Sequence, residues 1–407
     1  MLVSLVFAAF LLGSVLLIRA PAASASTTDV ISFPGQAAWI AVDSATGTVL
    51  AVVVYPGNNS INGMSINMLG MNPPSYGVAF NTTIVSGPDA YSDYGVGGLS
   101  HQFAVDPSTG EAFVGVQHCP TNSNAPCWWD LVAINISTGA VTATIPVDVG
   151  YWVTVDTTTH MVFTAGSFIN QVAVVSQVSE ASDSVTSTLN ASSQVANFIA
   201  DSGNQHVYAE VGYNLLVLGE SPLSVVYNST VNYGADLWDL AVDPSNNLLY
   251  FDSPSGPSLT VVSATSYQVV GTSGDASDFI AVNPSTHVVF MATAGDNVVS
   301  AQTFGGGTMN VVENLPIPPT TGGVITNDTG SIAVDPTRNL VYVITQSQPS
   351  TTIGIVDTST ALPEFPLSVS AVLVASLVFV SLAVAGARRL QRKDSQGPDK
   401  LKELGKG

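Results

Sequence analysis

Apolar and polar positions alternate in short paired runs along most of the chain. Residues 332–343, "IAVDPTRNLVYV", form one such pair, two apolar stretches around a polar Asp-Pro-Thr-Arg-Asn turn. This pattern predicts two strands joined by a tight hairpin. Near copies recur as "AVDSATGTVL" (Asp43), "AVDPSTGEAF" (Asp106), "TVDTTTHMVF" (Asp156), "IADSGNQHVY" (Asp201), "AVDPSNNLLY" (Asp243), "AVNPSTHVVF" (Asn283) and "AVDPTRNLVY" (Asp335). These seven copies lie 40 to 63 residues apart. Seven positions after each Asp or Asn stands a large apolar residue: Leu50, Phe113, Phe163, Tyr208, Tyr250, Phe290 or Tyr342.

The turn residues carry a mechanism. An Asp or Asn side chain bonds backbone two residues on, and a following Pro presets φ for a type I turn. Four residues past the Asp come Gly47, Gly110, His160, Gln205, Asn247, His287 and Asn339. Gly, Asn and His are favoured where φ is positive, so this position is expected to close the hairpin in the left-handed region. Two residues before the Asp, Ala stands at 41, 104, 241, 281 and 333. Small residues there predict strands crowded near a common axis.

Each unit continues into a second strand pair, clearest in "DLVAINISTGAVTATIPV" (130–147) with its turn at Ser137-Thr138-Gly139. Four strands per roughly 45 residues, repeated, predict an all-β fold, a seven-bladed β-propeller over 26–360. The last copy stops one strand short, after "TTIGIVDTST" (351–360). "TTDVISFPG" (27–35) resembles the missing strand. Residues 28–33 are therefore expected to complete the seventh blade and remove an exposed sheet edge.

The units resemble the YVTN β-propeller repeat, which runs through an Asp-Pro turn, a Tyr-Val-Thr-Asn strand and a Val-Ile-Asp-x-x-Thr segment. "AVDPTRNLVYVITQSQPSTTIGIVDTST" and the second unit are nearest, and the resemblance covers about 27–360. No copy carries a full Tyr-Val-Thr-Asn; Tyr342-Val343-Ile344-Thr345 comes nearest. The resemblance implies a surface or secreted propeller of the kind common in archaeal envelopes, including S-layer-associated proteins. It implies no reaction, because one propeller scaffold hosts many functions.

Both ends are apolar. Residues 2–18 are followed by Ala23-Ser24-Ala25, so 1–25 reads as a signal peptide, with an uncleaved anchor as the second reading. Residues 367–387 carry no charge and span about 30 Å as a helix, one hydrocarbon core. "RRLQRK" follows, so a transmembrane helix with a basic cytoplasmic tail (388–407) is expected. The segment 361–366 contains Pro363-Glu364-Phe365-Pro366, and with the span and "RRLQR" it is similar to archaeal PEF-type sorting signals. That similarity implies processing by an archaeosortase; a plain type I anchor is the alternative. Either way the main domain is expected outside the cytoplasm, at the cell surface.

Charge narrows the partners. The formal net charge is −20, and between residues 20 and 387 the sole Lys or Arg is Arg338. Such a domain cannot neutralise phosphates, so nucleic acid is excluded as its partner. A sparsely charged exterior rich in Ser, Thr and Asn suits an extracellular setting, and an acidic one in particular.

Cys119 and Cys127 bracket "PTNSNAP" and read as a disulfide in an exported protein, the alternative being two free thiols. Six sequons start at Asn58, Asn81, Asn135, Asn190, Asn228 and Asn327 and are candidate glycosylation sites. At the expected channel mouth lie His101, Tyr151, Trp152, Trp238, Asp239 and Asp278, with Asp252 and Asp296 from loops on the same face. Such a ring could bind a sugar or hold Ca²⁺ through oxygen ligands. Equally, the aromatics could cap the core while the Asp residues make turns. No cofactor is expected, Ca²⁺ being the candidate ion. There is no G-x-S-x-G and no H-E-x-x-H. Two functions stay open: a membrane-anchored propeller for envelope structure, adhesion or capture of a surface protein or polysaccharide, and a metal-dependent lactonase-like hydrolase drawing on Asp239, Asp278 and His101.

Overall fold

The computed structural model describes residues 27–55, 64–87, 103–118, 128–148, 151–166, 173–191, 195–211, 214–232, 239–252, 259–274, 277–293, 296–317, 332–347 and 350–359. All of these fall in the first of two compact units, Met1–Leu362; the second, Pro363–Gly407, holds none of them. Among the described residues every regular element is a strand, and no helix is long and apolar enough to cross a membrane. The signal segment 1–25, the 361–366 motif, the 367–387 span and the 388–407 tail lie outside the described residues.

β1 spans Thr27–Pro34. A first full sheet follows as β2 (Gln36–Asp43), β3 (Thr48–Tyr55), β4 (Met64–Asn72) and β5 (Gly77–Gly87). The second is β6 (Phe103–Asp106), β7 (Glu111–His118), β8 (Trp128–Asn135) and β9 (Val141–Val147). The third is β10 (Trp152–Asp156), β11 (Met161–Gly166), β12 (Val174–Ser179) and β13 (Ser184–Asn190). The fourth is β14 (Val195–Asp201), β15 (His206–Val211), β16 (Asn214–Glu220) and β17 (Leu223–Asn232). The fifth is β18 (Asp239–Asp243), β19 (Leu248–Asp252), β20 (Leu259–Ser263) and β21 (Val269–Ser273). The sixth is β22 (Phe279–Asn283), β23 (Val288–Ala292), β24 (Val298–Gly305) and β25 (Thr308–Pro316). The chain ends this series with β26 (Ile332–Asp335), β27 (Leu340–Ser347) and β28 (Ser350–Asp357), and β1 pairs antiparallel with β28 to give that sheet its fourth strand.

Among the described residues, seven apolar clusters lie between neighbouring sheets and link each sheet to the next. Leu50 and Val52 of the first sheet share one with Val114 of the second. Further clusters join second to third, third to fourth, fourth to fifth, fifth to sixth and sixth to last. Last and first sheets are linked where Ile31 and Phe33 of β1 pack with Tyr342 and Ile353 of the last sheet and with Ala37 and Val53 of the first. A four-stranded sheet buries little alone, so burial between neighbours is the main stabilising contribution here.

The repeat explains itself at the innermost hairpin. In all seven copies the residue two before the Asp pairs across the hairpin with the large residue seven after it: Ala41 with Leu50, Ala104 with Phe113, Thr154 with Phe163, Ile199 with Tyr208, Ala241 with Tyr250, Ala281 with Phe290, Ala333 with Tyr342. Each of these large side chains is at most 1% exposed. In five of the seven pairs the innermost-strand partner is Ala, which leaves room for the large side chain opposite; Thr154 and Ile199 are the exceptions.

The turn chemistry holds throughout. Each Asp or Asn accepts at Oδ1 from the backbone N–H two residues on, as in Ala45 to Asp43 (3.0 Å), Ser108 to Asp106 (2.8 Å) and Ser285 to Asn283 (3.0 Å). The same bond forms at Asp156, Asp201, Asp243 and Asp335. The residue four past each takes positive φ, from 53° at Asn247 and Asn339 to 80° at Gly47. Gln205, at φ 54°, is the least suited of the seven to that region. Gln205→Gly is expected to raise stability by about 0.5–1 kcal/mol, read as a higher urea midpoint.

Arg338 is spent on ring closure. Its guanidinium pairs with Asp335 (2.9 Å) and donates to the carbonyl of Thr46 in the first sheet (2.6 Å). It also fills the space where a Cβ on Gly47 would stand.

Candidate functional site

The two ends of the ring differ in chemistry. At one end first strands begin and second strands finish, and here Asp239 and Asp252 face each other across β18 and β19. Both are buried. Asp239 accepts from its neighbour Leu240 N (2.8 Å) and from Ile280 N of the next sheet (2.8 Å), so it ties two sheets together. Asp252 accepts from the Ser277 hydroxyl (2.9 Å), while its Oδ1 is sealed without a partner. Burial first, then the charges of Asp239 and Asp278, push the Asp252 carboxyl up to about 8, although Ser277 opposes the shift. This burial favours the protonated, neutral form of Asp252 in the folded protein.

At the opposite end, turns of neighbouring sheets meet. Asp106 Oδ2 lies 2.8 Å from His160 Nδ1 of the next sheet, and Asp243 Oδ2 lies 2.8 Å from His287 Nδ1 in the same relation. Glu180, directly after β12, joins the first pair. Donor atoms of Asp106, His160 and Glu180 lie within 4.8 Å of one another, the one such trio of His, Cys, Asp or Glu among the described residues. Burial opposes ionisation of Asp106, but bonds from Ser108 and His160 outweigh it and hold the carboxyl below its ordinary value. The bond to Asp106 raises the His160 imidazole above its usual range. Burial, then the Asp106 charge, lift Glu180 to about 7.

A second carboxyl pair repeats one sheet further on. Asp156 Oδ2 and Glu220 Oε1 are both sealed from solvent without a partner, and Glu220 Oε2 accepts from Thr159 (2.9 Å). Burial, then the adjacent Asp156, raise Glu220 to about 8. A proton retained on Glu220 supplies the donor that Asp156 lacks.

No protein-family model matches the sequence, and no curated protein matches it. Solved structures do. A chain of the mitotic checkpoint complex is 12% identical and superposes with a TM-score of 0.56, over 83% of this chain and 97% of that one. The Cps50 (Swd1) β-propeller domain of Myceliophteria thermophila is 11% identical with a TM-score of 0.57, over 82% and 99%. The Pan2 WD40 domain of Neurospora crassa is 9% identical with a TM-score of 0.53, over 82% and 97%. The fold is a β-propeller. Likeness at these identities speaks for architecture alone.

Of the residues expected at the propeller mouth, Asp239, Asp252 and Asp278 do gather, through the β18–β19 register and the segment leading into β22. Their donor atoms do not converge as a trio within 4.8 Å. Tyr151 and Trp152 go to the inter-blade core instead. Trp152 is 2% exposed and donates Nε1–H to the Val195 carbonyl (3.2 Å), and the Tyr151 ring packs 4.5 Å from that of Trp129. Asp296 is exposed and apart, on the rim of a cavity of about 300 Å³ between β23, β24 and β25. His101, Trp238, Cys119, Cys127, Asn58, Asn327, Pro363, Glu364 and Phe365 lie outside the described residues.

Of the other sequons, Asn81, Asn190 and Asn228 are exposed on outermost strands of the propeller. Asn135 is half-buried, and its Oδ1 caps a turn by accepting from Ser137 and Thr138. Sequence reading missed Glu180 and Glu220. Both stand one residue past the third-strand partner of the hairpin, and that shared register was the available signal.

Proposed function

We propose that this chain is a seven-bladed β-propeller of the YVTN-like repeat type, displayed outside the cell membrane as a binding or scaffold module. In this reading residues 1–25 direct export and 367–387 anchor the chain, with 388–407 inside. Pro363-Glu364-Phe365 would then serve as the sorting motif for an archaeosortase. The apolar ends and the near-absence of cations between them support that topology. Exposed Asn81, Asn190 and Asn228 suit a glycosylated exterior.

The observation that favours binding over catalysis is the use made of Asp239. Both of its oxygens accept backbone N–H groups, one from the neighbouring blade, so it acts as a bracket for the ring. A catalytic carboxylate needs an oxygen aimed at substrate. Outermost strands of three successive sheets expose paired valines, Val225–Val226, Val269–Val270 and Val311–Val312, an apolar rim suited to a surface protein partner.

Cross-linking on intact cells with a membrane-impermeant reagent tests this reading. Cross-links from the propeller to surface proteins or polysaccharide are expected. Turnover of a lactone or ester by the purified chain, abolished by Asp239→Asn, would replace it with the hydrolase reading.

A further inference from the structure

We propose that Asp106, His160 and Glu180 form a binding site for a first-row divalent metal ion of the Zn²⁺ class, stapling the second and third sheets together. Asp106 comes from the end of β6, while His160 and Glu180 come from the β10–β11 and β12–β13 turns. Three donors from two sheets thus point into one space, no more than 4.8 Å apart. One imidazole nitrogen and two carboxylate oxygens suit Zn²⁺, Co²⁺ or Mn²⁺, with water completing the shell; Ca²⁺ prefers oxygen alone.

The repeat supplies an internal control. Asp243 and His287 reproduce the Asp–His contact at the same 2.8 Å, so that contact by itself is turn chemistry. The register position held by Glu180 is occupied there by Phe304. At the Asp156 turn the acid is present as Glu220, but the imidazole is replaced by Gln205. Only the second-to-third junction combines both additions among these three.

A second observation points to a ligand. Both carboxyl oxygens of Glu180 are sealed from solvent and make no well-formed hydrogen bond; their polar neighbours are the Asp106 carboxyl and the Thr109 hydroxyl. Asp106 beside it is fully buried. Bringing two carboxyls together in a partly desolvated seam costs free energy unless a proton or a cation lies between them. The His160 ring is 45% exposed on its side chain, which gives an ion a route in from solvent and room for bound water.

The purified full-length chain, stripped with EDTA, would be titrated with Co²⁺ and then Zn²⁺, following the visible d–d absorption and the thermal midpoint. One equivalent of Co²⁺ displaced by Zn²⁺ is expected, with a Zn²⁺-dependent rise of several degrees in Tm. His160→Ala and Glu180→Gln should each remove the band and the rise, whereas His287→Ala should keep both. Either of the first two variants suffices if the other does not fold. No stoichiometric Co²⁺ band, a band unaffected by His160→Ala, or a rise given by Ca²⁺ but not Zn²⁺ would overturn the proposal.

Discussion

Deleting residues 27–34 is expected to abolish cooperative folding of the propeller. The deletion removes β1, whose register with β28 runs from Thr27 opposite Val356 to Pro34 opposite Ser350. It also removes Ile31 and Phe33, both nearly fully buried where the last sheet meets the first. Losing two such side chains costs roughly 5–8 kcal/mol, comparable with the ~5–15 kcal/mol total stability of a domain. The deletion would leave β28 as a bare edge open to pairing with other chains. Phe33→Ala alone should cost about 3–4 kcal/mol, read from urea midpoints. Adding a synthetic peptide of residues 27–35 to the truncated chain should restore part of the transition. An unchanged midpoint on deletion would mean that the ring closes without its first strand.

The second large effect is an inverted pH dependence. Glu220 and Asp252 are held near 8 in the folded chain, against ordinary values of 4.5 and 3.8. Below about pH 4 both states carry these protons, and the groups do not alter stability. As pH rises above that, the unfolded chain releases them while the folded chain retains them, so stability falls until about pH 8. Each unit of elevation is worth about 1.4 kcal/mol, so each group contributes on the order of a few kcal/mol across this window. Asp106, held below its ordinary value, begins to lose its contribution only at pH values under the window. The protein should therefore be several kcal/mol more stable at pH 5 than at pH 8. Glu220→Gln and Asp252→Asn should each raise stability at pH 8 and flatten the profile. A profile that falls toward pH 5, or one unaltered by both substitutions, would remove the buried-acid explanation. The expected acid tolerance agrees with the sparse surface charge read from the sequence.

The repeat was legible because each hairpin obeys local rules. Asp43 to Asp335 mark turns whose Asx bonds and left-handed closing residues are properties of four or five consecutive positions. The closing role of β1 was legible from a missing strand at one end and a spare one at the other. The Asp239–Asp252 pairing also follows from hairpin register, since both sit four pairs from the Asp243–Leu248 end. Contacts between sheets were not legible. His160 meets Asp106 across 54 residues, and although the repeat register sets Glu180 beside the turn of its own sheet, it does not say which residue of the neighbouring sheet it meets. Trp152 could be placed at the mouth by counting, but its indole found a carbonyl on the next inner strand. An apolar ring with one N–H gains more from that buried bond than from solvent at the rim.

Topology labelling most directly tests the proposal that residues 367–387 hold the propeller outside the membrane. Single cysteines would be placed at the exposed positions Ser108 and Ser182 and at Ser395, with Cys119 and Cys127 replaced by Ser, then treated on intact cells with a membrane-impermeant maleimide. Labelling is expected at 108 and 182 in intact cells and at 395 only after lysis. Labelling at 395 with protection of 108 and 182 would contradict the proposal.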